Sequence, residues 1–245
     1  IKSLGAKIYV CPSNVAPDDS RSYYQVAKRL NGEIQNSVYI NQYFNELNVK
    51  AHYLSTGPEI WSQTDGKITH LIACSGTGGT ISGIGKYLKE KNKNIKIIGV
   101  DAYGSILKKY HETGEIDKNE IHSYRIEGMG KSIIPSATDF EIIDKFVKVS
   151  DSESAHMARN ITLNEGIFVG YTSGAAMQAA KQLNDEGDFK NKKVVVAEGL
   201  LDSFLKECSI KDYKEIIKFK GKELKDTICN HPFFELGYDY DIPML

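Results

Sequence analysis

The stretch Cys74-Ser75-Gly76-Thr77-Gly78-Gly79-Thr80 constrains this chain more than any other. Before it, Ile68, Leu71, Ile72 and Ala73 form a short apolar run that reads as a buried strand. After it, Ile81, Ile84 and Leu88 recur at helical spacing while Lys86, Lys89 and Glu90 face away. A strand, a glycine turn and a helix in that order make a cradle for an anion. Glycines let the backbone curl close to a ligand, and a helix N-terminus offers unpaired N–H groups backed by its dipole. Thr77 and Thr80 add hydroxyls at the same mouth, so the predicted guest is a phosphate. The same turn also serves as a plain tight connection. It is not the Gly-x-Gly-x-x-Gly of dinucleotide sites, because Gly79 follows Gly78 directly, and no Lys-Ser/Thr pair closes a P-loop. A ligand smaller than a nucleotide fits that pattern.

The remaining chain alternates strand and helix signals. Strands are predicted at Ile8 to Cys11, Val38 to Ile40, Ile95 to Val100, Ile167 to Val169 and Lys193 to Val196. Helices are predicted at Tyr23 to Leu30, His52 to Gln63 and Asp151 to Asn164. Ser150 with Glu153 is a capping box for the last of these, and Gly166 stops it. Residues Tyr103 to Lys131 read as loop, broken by Gly104, Gly114, Gly128 and Gly130. A second turn, Gly170 to Gly174, leads into a helix with Ala175, Ala176, Ala179, Ala180 and Leu183 along one face. Ile68 to Val100 is then one βαβ unit, and the fold class is α/β with a doubly wound, mostly parallel sheet. Such sheets bind ligands at the carboxyl ends of their strands. Both glycine turns lie at that edge, which brings Thr172 and Ser173 into consideration, although either hydroxyl also suits a helix cap.

Composition narrows the class. Of 245 residues, 41% are hydrophobic and 26% charged, the balance of a globular protein. A net charge of −1 offers nothing to nucleic acid or an anionic membrane, and no apolar run reaches membrane-spanning length. Cys11, Cys74, Cys208 and Cys229 are far apart with no Cys-x-x-Cys pair, which argues against a metal site or disulfides and for a cytoplasmic location.

The glycine loop, continued through Ile81-Ser82-Gly83-Ile84, resembles the phosphate loop of the fold-type II pyridoxal-phosphate (PLP) enzymes, which include cysteine synthase and cystathionine β-synthase. Further matches follow in order: Asn41-Gln42-Tyr43-Phe44-Asn45, Ala51-His52-Tyr53, Gly99-Val100-Asp101, Gly104-Ser105-Ile106-Leu107, Glu127-Gly128-Met129-Gly130, Ile134-Pro135, Glu165-Gly166 and Ser173-Gly174-Ala175. Gly104 to Leu107 with Glu127-Gly128 lean toward the cystathionine β-synthase branch. The resemblance spans about residues 1 to 196 and implies a tryptophan synthase β-like fold with PLP as cofactor. It implies that Gly76, Thr77, Gly78, Gly79 and Thr80 hold the phosphate and that Thr172 bonds the pyridine nitrogen. A neutral hydroxyl there tempers the electron sink and suits loss of a β-substituent. Gln42 and Tyr43 would line the substrate site, with Glu127 and Gly128 in a loop at its mouth. The implied activity is a β-replacing lyase joining serine or O-acetylserine to a thiol, homocysteine or sulfide, in cysteine and transsulfuration metabolism. The implied assembly is a homodimer.

Three departures qualify these expectations. The family's cofactor-linked lysine and its asparagine loop for the substrate carboxylate match nothing here and would lie upstream of Ile1. No catalytic residue is therefore carried over, and the chain is read as a C-terminal part expected to be inactive alone. The alternative is a non-catalytic relative that binds PLP or another small phosphate as a binding or partner protein. Lys131 stands where many cystathionine β-synthases have Tyr; it reads as solvent-facing or as a contact to substrate or loop. After Val194-Val195-Val196 the family pattern stops at Ala197-Glu198-Gly199. The expected division is 1–60, part of a smaller lobe; 61–196, the phosphate-binding domain; and 197–245, a divergent segment.

Overall fold

In the computed structural model, residues 1–12, 15–187, 194–196, 228–230 and 241–243 are described. The reading of 197–245 as a divergent segment falls almost wholly outside them. Within the described residues, the apolar run before the glycine loop is strand β1 (His70–Cys74). It is buried on both faces: Leu71 and Ala73 join one apolar cluster, Ile72 and Cys74 the other. That two-sided burial is what a central parallel strand requires. β2 (Lys96–Ala102) pairs with it in parallel, and β3 (Lys145–Val149) extends the sheet beyond β2. β4 (Val194–Val196) lies on the other side of β1, so the order is β3-β2-β1-β4, all parallel. This is the α/β sheet the sequence predicts, and its order reverses at β1. Two further strands, β5 (Ile228–Asn230) and β6 (Asp241–Pro243), form a separate antiparallel pair.

Helices cover both faces. α4 (Gly79–Lys91) turns Ile81, Ile84 and Leu88 onto Leu71, Ile97 and Phe146. On that side also lie α2 (Glu46–Leu54), packed on α4, and α3 (Thr56–Gln63), which adds Ile60. The opposite face carries α7 (Tyr171–Asp185), whose Ala175, Ala179 and Leu183 meet Ile72, Ile98, Val100 and Val147. α6 (Asp151–Glu165) packs on α7. Its capping box is formed, with Ser150 Oγ accepting from the Glu153 N–H, and Gly166 closes it in the left-handed conformation at φ 72°. α1 (Tyr23–Glu33) begins at a Ser22 cap.

The structure corrects several expectations. Ile8–Cys11, Val38–Ile40 and Ile167–Val169 are not strands. Val10, Val38 and Phe168 are exposed, and no ladder partner lies beside these stretches among the described residues; an extended run becomes a strand only when paired. The helix expected from His52 to Gln63 starts earlier and breaks at Ser55 into α2 and α3. Pro58 explains the break, since it has no N–H to give and fits only the first turn of a new helix. The stretch 103–131 is not all loop. It holds α5 (Leu107–Thr113), ended by Gly114 in the left-handed region, and a short 3₁₀ turn at Lys118–Glu120. β3 is a strand the sequence reading missed, because Lys145 and Lys148 interrupt its apolar signal.

Candidate functional site

The glycine loop leaves the carboxyl end of β1, at the reversal of strand order where an open sheet receives its ligand. Gly78 ends the loop with φ +87°, a conformation L side chains avoid, and a Cβ there would stand 2.0 Å from Thr138 Oγ1. At Gly76 a Cβ would meet the Gly128 carbonyl at 2.2 Å. The glycines thus serve close packing of two segments, the loop and residues 128–138. The Gly130 N–H donates to the Ser75 carbonyl (2.8 Å), and Thr138 Oγ1 donates to the Thr77 carbonyl (3.3 Å).

α4 begins at Gly79 with no acidic residue in its first turn and no side-chain cap. Its first N–H groups lack intrahelical partners and point at the loop's mouth. The hydroxyls are set by α2. Asn48 Nδ2 donates both to the Gln42 carbonyl (2.9 Å) and to Thr77 Oγ1 (3.0 Å), which leaves the Thr77 proton for another acceptor. His52 Nε2 is 3.1 Å from Thr80 Oγ1, and its Nδ1 is 3.0 Å from Thr56 Oγ1. Burial lowers the His52 pKa, so the ring is neutral at pH 7. Asn48 and His52, one helical turn apart, are the residues the sequence reading gave no role. Their i, i+4 spacing was visible, but only packing shows which loop they face.

The other predicted residues fall around the same mouth. Thr172 is the second residue of α7, behind a Gly170 cap, so it does not cap the helix itself. Its carbonyl accepts from Cys74 Sγ at 3.3 Å, and its methyl lies 4.0 Å from where Gly128 would carry a Cβ. Glu127 and Gly128 are exposed at the rim. Gln42 is exposed and tied to the loop through Asn48. Tyr43 is half-buried, its hydroxyl 3.1 Å from that of Tyr23 and its ring 5.0 Å beneath Lys131 Nζ. Burial raises the pKa of Tyr43 and Tyr23 and pushes Tyr24 and Tyr124 up to about 12, so these phenols stay protonated.

The fold and site define a class first: an α/β protein with a parallel sheet and a glycine loop that runs from its central strand into a helix whose first turn carries no acidic residue. Residues 1–198 match the family model of the pyridoxal-phosphate dependent enzymes, and the chain belongs to that family. A cystathionine β-synthase of Apis mellifera is 42% identical over 208 residues, 84% of this chain and 40% of that protein. The structure of a hydrogen sulfide-producing enzyme from Fusobacterium nucleatum superposes with a TM-score of 0.64 at 33% identity, covering 70% of this chain and 56% of that one. A separate likeness, 77% over 64 residues, links 26% of this chain to 7% of an isoleucine–tRNA ligase of Pelagibacter ubique. The chain thus spans less than half the length of the first curated relative. PLP is the cofactor of this family. The residues present fit its phosphate: the first turn of α4 has no side-chain cap and no acidic residue, and Ser75 Oγ is buried at the loop with no partner among the described residues. No helix among the described residues is long and apolar enough to cross a membrane, and no group of His, Cys, Asp and Glu among them could hold a metal ion.

Proposed function

We propose that this chain forms the phosphate-binding part of a PLP-dependent β-replacing lyase of the cystathionine β-synthase type, acting on serine or O-acetylserine with a thiol. In this reading the N–H groups of residues 76–80 and the hydroxyls of Thr77 and Thr80 hold the phosphate, and Thr172 faces the pyridine nitrogen. Gln42, Tyr43, Glu127 and Gly128 border the amino-acid substrate. Bound there, the cofactor would supply an electron sink for the substrate's carbon skeleton. The observation that carries the reading is the pair Asn48–Thr77 and His52–Thr80. Each threonine oxygen has a neighbour on α2, and Asn48, which can only donate through Nδ2, leaves the Thr77 proton available to a ligand oxygen. The likeness to an isoleucine–tRNA ligase covers too little of that protein to carry its activity here.

The test is titration of the purified chain with PLP, followed by absorbance, with inorganic phosphate as competitor. Saturable binding that phosphate displaces, weakened about tenfold by Thr77→Val, supports the loop as its seat. Binding indifferent to both would remove the reading. The chain alone is expected to form no product from serine and homocysteine; turnover would mean that a lysine within it takes the cofactor.

A further inference from the structure

On the α4 side the sheet is apolar through Ile97 and Phe146 and then turns charged. By strand alternation Asp101 of β2 and its register partner Lys148 of β3 continue that face; Asp101 is fully buried and Lys148 nearly so. Two apolar residues would pack there at lower cost, so the charges need a reason. Both hold the same turn, residues 102–108. Asp101 Oδ1 accepts from the Ala102 N–H (2.9 Å) and Oδ2 from the Lys108 N–H (3.0 Å), and the carboxylate also accepts from the Ser105 hydroxyl. Lys148 Nζ donates to the Ser105 carbonyl (3.0 Å) and to Glu120. Ser105, itself fully buried, is thus fixed at its carbonyl and its hydroxyl. With its one proton given to Asp101, Ser105 Oγ can only accept elsewhere, and it accepts from the N–H groups of Leu107 (3.4 Å) and Lys131 (2.8 Å). Lys131 returns the bond, its carbonyl accepting from the Ile106 N–H (3.0 Å). One residue earlier, the Gly130 N–H donates to the Ser75 carbonyl of the glycine loop (2.8 Å). The junction is tight, since a Cβ on Gly130 would stand 2.9 Å from Ser105 Cβ. Bonds therefore run from two buried charges in the sheet, through Ser105, to the segment that closes on the loop.

We propose that Ser105, backed by Asp101 and Lys148, is the positioning residue that sets segment 128–131 against the glycine loop and so fixes the width of the cradle. It rests on the reading of the loop as a phosphate seat, and it adds that the shape of this seat is decided from behind, by groups buried at the ends of β2 and β3. A Ser105 that only stabilised the fold would act on the cradle no more than any other stabilising residue does.

The experiment compares the full chain with Ser105→Ala, with Lys148→Met and with Gly114→Ala, a strained-glycine control outside this junction. Each is read by PLP titration with inorganic phosphate as competitor, and by amide hydrogen exchange over residues 128–131 without PLP. In Ser105→Ala those amides should exchange about tenfold faster, and PLP should bind about fivefold more weakly. Lys148→Met frees the Ser105 carbonyl and leaves its hydroxyl, so it should move both readings in the same direction by less; it carries the comparison if Ser105→Ala does not fold. Gly114→Ala should move neither, whatever its melting temperature. Wild-type exchange at 128–131 in a folded Ser105→Ala or Lys148→Met chain, or an equal change in Gly114→Ala, overturns the proposal. Faster exchange after Ser105→Ala in a chain that binds no PLP would keep the positioning role and remove the phosphate reading. Phosphate-displaceable PLP binding that Ser105→Ala leaves intact would do the reverse.

Discussion

Gly78 shows why residue identity is strict at this site. Its φ of +87° costs an L side chain roughly 1–2 kcal/mol, and a Cβ would also strike Thr138. Gly78→Ala is expected to lower the melting temperature by several degrees and weaken PLP binding, because the loop must retreat from residue 138; a melt and a PLP titration of the same sample check both. Gly114 has a similar φ of +72° with open space around it, so Gly114→Ala should affect stability alone. The contrast separates backbone strain from the cradle's packing.

At the scale of elements, two local devices set the edges of the sheet. The Ser150–Glu153 capping box starts α6, and Glu153 Oε2 takes both the N–H and the hydroxyl of Ser150. Ser150→Ala should cost about 1 kcal/mol, a fall of roughly 2–4 °C in melting temperature, read by calorimetry. Asp144 joins two elements: it accepts from the Ile97 N–H and Lys96 of β2 and from Lys89 of α4. Burial pushes its pKa up, but these donors outweigh that and hold it below the ordinary aspartate value of 3.8. A depressed carboxylate contributes its stability above its unfolded pKa and loses it as pH falls through the folded one. The chain should therefore lose stability below about pH 3.8, and Asp144→Asn should flatten that part of the profile while lowering stability at pH 7. Urea melts across pH 2–7 test this.

For the whole molecule, the arrangement matters more than any element. One reversal of strand order at β1 puts the glycine loop, the start of α7 and the 127–131 segment at a single edge. A ligand held there joins segments far apart in the chain and so should stabilise all of them. PLP at a hundred times its dissociation constant should add about 2.7 kcal/mol, or roughly 5–10 °C in melting temperature. A melting point indifferent to PLP would mean that the cradle is not its seat.

What the amino-acid order determined by itself is the set of local rules. The apolar run, glycine turn and helical spacing around residues 68–88, the capping box at 150–153 and the alanine face of α7 are all short-range patterns, and each appears where expected. Pairing is not local. Nothing within Ile8–Cys11 or Ile167–Val169 distinguishes an unpaired extended segment from a strand, and nothing within Lys145–Val149 announces one. Only the tertiary structure decided those, because a strand's stability resides in its neighbours. The same holds for the site. The loop was legible from its glycines, whereas Asn48, His52 and Ser105 acquire meaning from what the fold sets beside them: two threonines, and the backbone of Lys131.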